Sequence, residues 1–340
     1  EIEKLTLQEL EGLLAGWGYK PFYAREIFRW IYGKLAEDFA QMTSLPLGLR
    51  DKLKENFSLR SLKLITQAAS QDGTRKFLFA LSDKSLIEAV LIPAQGRVTG
   101  CISSQAGCKF ACRFCASGSD GFQRNLSAGE ILDQVLCLKK TAQGKLTHIV
   151  FMGTGEPLDN YENVLEAARM INSPFGFNIG ARRITISTCG IAPAIEKLAR
   201  EELQIELSVS LHAADDQTRN YLMPVNKKYP LKELLRACSA YIQRTNRQIT
   251  FEYVLIQGVN SGLQNAKNLS RILKGLKLAK VNLIPANPLE RLKIAPPDRQ
   301  DMLLFKNELL KSGIPVTLRK PRGKDIEAAC GQLRLRYEKK

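Results

Sequence analysis

Three cysteines, Cys108, Cys112 and Cys115, fall on one short stretch in a C-x3-C-x2-C pattern, and a fourth, Cys101, stands seven residues before the first. Thiolates this close together can converge on one metal centre. A four-iron cluster takes four ligands. Three protein thiolates therefore leave one iron open, much as a catalytic zinc keeps one position free. An open iron can hold a small chelating ligand and pass it an electron. The same residues also suit a zinc knuckle with Cys101 as fourth ligand, although zinc sites usually split their cysteines into two separated pairs.

Other residues with chemical potential lie in loops or at strand ends. In Gly153-Thr154-Gly155-Glu156-Pro157 the glycines allow backbone to approach a ligand closely, and Glu156 offers an acceptor for an ammonium. Alone, that motif is equally a plain turn. Ser187, Ser210 and Asn287 are polar residues that more often satisfy local backbone groups. His212 reads either as a site residue or as a core histidine, whereas His148, at the start of a strand, reads as structural. Glu88 lies between Ile87 and Ala89. It is either a general base whose pKa is raised by apolar neighbours or a carboxylate on the wet face of its strand. Cys330, beside Gly331 and a basic run, is a candidate reactive thiolate. A lone cysteine is otherwise a small buried hydrophobe, the expectation for Cys137, Cys189 and Cys238.

These residues need a scaffold. Leu5, Leu7, Leu10, Leu13 and Leu14 recur at helical spacing, and residues 1–60 read as a small helical accessory domain with RNA-binding potential. Residues 61–96 carry short apolar runs broken by Gly and Asp, a β-rich extension. From 97 to 318 strands alternate with helices, beginning with strands at 97–104, 147–152 and 182–187 and continuing at 204–210, 248–255 and 280–284. That alternation predicts an α/β fold with parallel strands. Six such units are too few for a closed eightfold barrel, and an open (β/α)6 partial barrel fits. Residues 319–340 form a basic tail carrying Cys330. In a βα barrel the chemistry sits at the C-terminal strand ends. The cysteine loop, the Gly-rich turn, Ser187, Ser210-Leu211-His212 and Asn287 then share one rim.

The 340 residues carry a formal net charge of +16. Such an excess favours a polyanionic partner, nucleic acid above all. No run of apolar residues is long enough for a transmembrane helix, so no membrane is expected. The start, Glu1-Ile2-Glu3-Lys4, has no basic segment followed by an apolar one. That predicts no signal peptide, and the missing Met suggests a trimmed start. Eight cysteines are too few for a disulfide scaffold, which fits a cytoplasmic protein with a metal site.

The cysteine loop resembles that of the radical S-adenosylmethionine (SAM) superfamily. Together with Gly121-Phe122-Gln123-Arg124-Asn125-Leu126, Leu222-Met223-Pro224-Val225-Asn226-Lys227-Lys228-Tyr229, Arg322-Gly323-Lys324-Asp325-Ile326 and Ala329-Cys330-Gly331-Gln332-Leu333, the whole chain resembles the RlmN family. Its members are dual-specificity bacterial 23S rRNA and tRNA adenine-C2 methyltransferases. One departure is Thr154, where the family is expected to carry Met. Pro157 and the Phe122–Leu126 run favour this family over the related Cfr enzymes, which methylate C8 of the same adenine and confer antibiotic resistance. The resemblance implies a 4Fe–4S cluster on Cys108, Cys112 and Cys115. It implies SAM, two molecules per turnover, bound by Gly155, Glu156, Ser187, Ser210, Leu211, His212 and Asn287. It assigns Cys330 as methyl acceptor, Glu88 as the base that takes the C2 proton, and Cys101 as the thiol that releases product through a transient disulfide. It also implies an electron donor such as flavodoxin or a ferredoxin, and a monomer. A distant alternative is a non-catalytic, zinc-binding RNA-binding protein.

Overall fold

The computed structural model describes residues 2, 5–118, 121–287, 294–320, 322–329 and 332–333. The N-terminal part is helical: α1 (Leu7–Gly16), α2 (Phe22–Phe28), which runs into a π-helical turn at Arg29–Gly33, and α3 (Leu47–Asn56). Thr6 and Glu9 form a capping box that satisfies the first free N–H groups of α1. Strands β1 (Lys63–Ala69), β2 (Arg75–Ala80), β3 (Leu86–Ala94) and β4 (Arg97–Cys101) follow. A hairpin of β5 (Gln105–Gly107) and β6 (Phe122–Asn125) then precedes α4 (Ala128–Thr141), which is opened by a Ser127/Glu130 capping box. The alternating part continues with β7 (His148–Phe151), α5 (Tyr161–Asn172), β8 (Ile184–Thr188), α6 (Ala192–Leu198) and β9 (Glu206–Ser210). It closes with α7 (Asp216–Leu222), α8 (Leu231–Thr245), β10 (Ile249–Leu255), α9 (Leu263–Leu273), β11 (Ala279–Pro285), α10 (Arg299–Lys311) and β12 (Val316–Leu318).

One sheet of ten strands runs in the order β1-β2-β3-β4-β7-β8-β9-β10-β11-β12. From β4 onward every pairing is parallel, while β1 to β4 pair antiparallel. The six parallel strands expected from sequence are present in the expected order. The short β12 adds a further one, pairing Val281 with Val316. The segment 61–96 is therefore the antiparallel end of the barrel sheet rather than a separate extension.

The helical N-terminal part shares the main core. Ile27, Phe28, Ile31 and Tyr32 are buried in the same apolar cluster as the barrel residues Ile131, Val135 and Ile171. Lys139 of α4 donates to the Tyr32 carbonyl at 2.9 Å, and Arg60 donates to the Ala36 carbonyl at 2.7 Å. Tyr32 is fully buried in this core.

Candidate active site

The cysteine loop is closed at its base by the β5–β6 hairpin. The Cys108 N–H donates to the Gly121 carbonyl at 3.0 Å. Gly107 has a φ of +76°, and a Cβ there would lie 1.9 Å from the Gly121 oxygen, so only glycine closes the loop this tightly. The Arg113 N–H donates to the Leu222 carbonyl at 2.9 Å. Phe110, Cys112 and Phe114 pack on Leu222, Met223 and Val225, so α7 and the turn after it roof the loop.

Cys108, Cys112 and Cys115 all line one cavity at the C-terminal strand ends. Burial pushes the Cys108 thiol up to about 12, and the neighbouring Cys115 adds to that shift. Burial raises the Cys112 thiol as well. Buried thiols this close together give up their protons only to a cationic centre, so the donor set fits an iron cluster. Among the described residues no three His, Cys, Asp or Glu side chains converge on a single ion position. Thiolates that each bind a different iron of one cluster need not do so.

Glu156 forms another wall of this cavity and is buried. Its carboxylate accepts the Cys189 N–H at 2.7 Å on one oxygen and the Leu158 N–H at 3.1 Å on the other. The Thr188 and Cys189 side chains also hydrogen-bond to this carboxylate. Burial raises its pKa, so an arriving ammonium would stabilise the ionised form. The two glycines of this turn line the cavity, and close packing behind it gives a second reason for their small size. A Cβ on Gly153 would lie 2.7 Å from the Ile102 carbonyl, and one on Gly155 would lie 2.6 Å from Gln105 Cβ. They are small so that the turn can press against the chain leaving β4.

Ser187 stands one residue before the end of β8, Ser210 ends β9, and both line the cavity. His212 lies just beyond, in a left-handed conformation with φ +56°. Its Nδ1 accepts the Val254 N–H at 3.0 Å, which puts the ring proton on Nε2. Burial holds the imidazole down to about 3, so it is a neutral hydrogen-bond donor. Phe114 of the cysteine loop meets the ring edge-on at 4.4 Å between centroids. His212 is therefore part of the cavity wall, and Asn287 lines the same space. Leu211 does not: its side chain is buried in the main core and lies outside the cavity lining.

Cys101 ends β4 and lines a second, adjoining cavity, which shares Met152, Asn287 and Arg319 with the first. Its strand neighbour Val90 pairs with it in register. Ile87, Ala89 and Leu91 pack into the main core. The alternate residues of β3, Glu88 and Val90, therefore share the opposite face with Cys101. Glu88 is only 3% exposed, so it does not face water. Burial raises its pKa to about 7 despite Lys76 Nζ at 3.2 Å. Ala328 and Leu333 of the C-terminal tail pack on Cys101 and Val90. Cys330 lies outside the described residues. Glu88 lines neither cavity.

Sequence reasoning missed Arg219 and Glu252. Glu252 lines the first cavity, and Cys189, buried as expected, lines it too. Arg219 is fully buried behind it, bonding Cys189 O at 2.7 Å, Ser210 O and Leu211 O at 3.1 Å, and Asn226 Oδ1 at 2.8 Å. One guanidinium thus fixes the loops after β8 and β9 and the turn after α7. Arg219→Ala would leave these buried acceptors without a donor. It is expected to cost roughly 3–5 kcal/mol in urea denaturation and to lower iron retention, because the loops lose their common anchor.

Comparison with known proteins decides the family. A model of the radical SAM superfamily matches residues 102–264, and one described as the ribosomal RNA large subunit methyltransferase N-terminal domain matches residues 1–59. The chain is 46% identical over 339 residues to "Probable dual-specificity RNA methyltransferase RlmN" of Caldanaerobacter subterraneus, covering 99% of this chain and 98% of the relative. The chain belongs to the RlmN family. An RlmN protein of Geobacillus thermodenitrificans is likewise 46% identical, with 99% and 93% covered. The crystal structure of a radical SAM methyltransferase from Sphaerobacter thermophilus superposes with a TM-score of 0.95 at 46% identity, covering 98% of each chain. RlmN membership carries a 4Fe–4S cluster and SAM, in keeping with the three thiols and the polar cavity beside them. It does not favour the Cfr reading or the zinc-binding reading.

Proposed function

We propose that this chain methylates C2 of an adenine in the peptidyl-transferase region of 23S rRNA, and of an adenine next to the anticodon in certain tRNAs. The observation that supports the residue roles is that Cys101 and the tail residues Ala328, Ala329 and Leu333 line a cavity adjoining the cysteine-lined one, with Glu88 on the same sheet face as Cys101. Cys108, Cys112 and Cys115 would hold the cluster, which when bound supplies one-electron chemistry to the SAM it chelates. Glu156, Ser187, Ser210, His212, Asn287 and the backbone of Gly155 would orient that SAM. Two SAM molecules serve each turnover, one of them donating the methyl that Cys330 accepts on sulfur. The one-electron chemistry of cluster and SAM would remove a hydrogen atom from the S-methyl group and take up the remaining odd electron, so that the methyl carbon bonds to C2 of the base, and Glu88 takes the C2 proton. Cys101 then attacks the Cys330 sulfur: the disulfide forms as the bond from that sulfur to the carbon on C2 breaks, and the freed carbon takes a proton to become the methyl group on the RNA.

A disulfide that must be reduced each cycle and an iron cluster both suit the cytoplasm. Among the described residues no helix is long and apolar enough to cross a membrane. The net charge of +16 suits RNA. A small redox protein such as flavodoxin or a ferredoxin would supply the electron. To test the substrate class, protein with its cluster rebuilt without oxygen is given methyl-labelled SAM, a reductant and either RNA or DNA. Label is expected in protein-free 23S rRNA and in tRNA but not in DNA. Label in DNA alone would sink the assignment.

A further inference from the structure

The antiparallel end of the sheet grips the C-terminal tail. In the β1–β2 turn, Ser70 Oγ donates to Asp325 Oδ1 at 2.6 Å and the Gln71 N–H donates to Asp325 Oδ2 at 3.2 Å. The Gly323 N–H donates in return to Asp72 Oδ2 at 3.1 Å. Gly323 has a φ of +60°, and a Cβ there would lie 2.9 Å from both Thr74 Cγ2 and Ala328 Cβ. This clasp closes a few residues before Cys330 in the sequence.

The next residue of β2 on the same face reaches further in. Lys76 pairs in register with Val90, and Leu78 with Glu88, so Lys76 lies diagonally across from Glu88. Its Nζ is 3.2 Å from Glu88 Oε1 and donates to the Glu327 carbonyl of the tail at 3.4 Å. The Lys76 and Glu88 side chains are 16% and 4% exposed, so bulk water hardly screens the pair. The charged groups acting on Glu88 are Lys76 from β2, which favours the carboxylate, and Glu327 from the tail, which opposes it. Ser103, from the loop after β4, donates to the Glu88 backbone carbonyl and not to its carboxylate.

We propose that Lys76 is a positioning residue that ties the seating of the tail to the readiness of Glu88: one ammonium holds the tail's Glu327 carbonyl and the Glu88 carboxylate together. With the tail seated, the ammonium is fixed between its two acceptors and stands opposite the base. The proposal rests on the assignment of Glu88 as base and of the tail as methyl carrier made above.

The test uses the full-length, cluster-loaded protein and two readouts. One is the pH dependence of RNA methylation. The other is SAM-dependent methyl loading of Cys330, followed by peptide mass spectrometry. Lys76→Met should move the acidic limb of the methylation profile up by about one pH unit or more, since Glu88 loses its cation. Methyl loading should stay close to wild type, because the Asp72 and Asp325 contacts still hold the tail. Lys76→Arg should return the limb to its wild-type position. If Lys76→Met does not fold, Lys76→Gln, uncharged but polar, carries the same expectation. An unmoved limb with a uniformly lower rate would overturn the proposal and leave Lys76 as simple support for the tail. Full activity in Glu88→Gln would instead overturn the base assignment itself, whatever Lys76 does.

Discussion

A Cys101→Ala variant is expected to become trapped on its substrate. It should load a methyl group on Cys330 and join to RNA, and then fail to let go. Cys101 is the thiol whose surroundings include both Glu88's face of β3 and the seated tail. Without it, the proposed release step loses its nucleophile. Methylated RNA should fall by at least roughly 10³-fold, as when one member of a catalytic unit is removed. A protein–RNA conjugate should appear on a denaturing gel and map by mass spectrometry to the Cys330 peptide. Cys330→Ala should be equally inactive but give no conjugate, because the carrier itself is gone. Normal turnover by Cys101→Ala would refute the resolving role. Both substitutions are small, and Cys101 ends its strand beside apolar neighbours, so the fold should tolerate alanine there.

Glu88→Gln is the second large effect. Burial raises this carboxyl to about 7, so in the folded protein half of it is protonated near neutral pH. A base must be ionised to accept the C2 proton. Wild-type methylation should therefore be slow below pH 6, rise through pH 7 and level off above pH 8, provided proton removal limits the rate. The glutamine variant keeps the shape and loses the base. It should fall by roughly 10²–10⁴-fold and show no such limb. Methyl loading of Cys330, which needs no proton from RNA, should survive. Loss of loading together with transfer would point to a structural role for Glu88.

The site was legible where chemistry is written locally. The cysteine spacing and the Gly-x-Gly-Glu-Pro turn are fixed by short-range geometry, and the βα alternation sets them on one rim. Elsewhere the local pattern hides the structure. In β3, Ile87, Ala89 and Leu91 enter the main core while Val90 and Ile92 pack with the tail, so the middle of the strand is buried on both faces. Glu88 therefore sits in an unbroken apolar run whose polarity gives no clue to its surroundings. Strand β1 is almost wholly exposed and lacks apolar alternation. Strand β12 is only three residues long. Helix α7 reads Asp-Gln-Thr-Arg-Asn-Tyr-Leu, a polar stretch in which nothing marks Arg219 as the buried one. Its burial comes from carbonyls contributed by two distant strands, which only the fold assembles. Leu211 stands between Ser210 and His212, yet its own side chain turns to the core.

The most direct measurement is nucleoside mass spectrometry, with synthetic standards, on RNA treated with the cluster-loaded protein, SAM and a reductant. Substrate RNA would be protein-free 23S rRNA and tRNA lacking the modification. The account predicts 2-methyladenosine from both, and none from Cys330→Ala. Appearance of 8-methyladenosine instead would contradict the assigned atom, and no methyladenosine from a fully iron-loaded sample would contradict the assigned reaction.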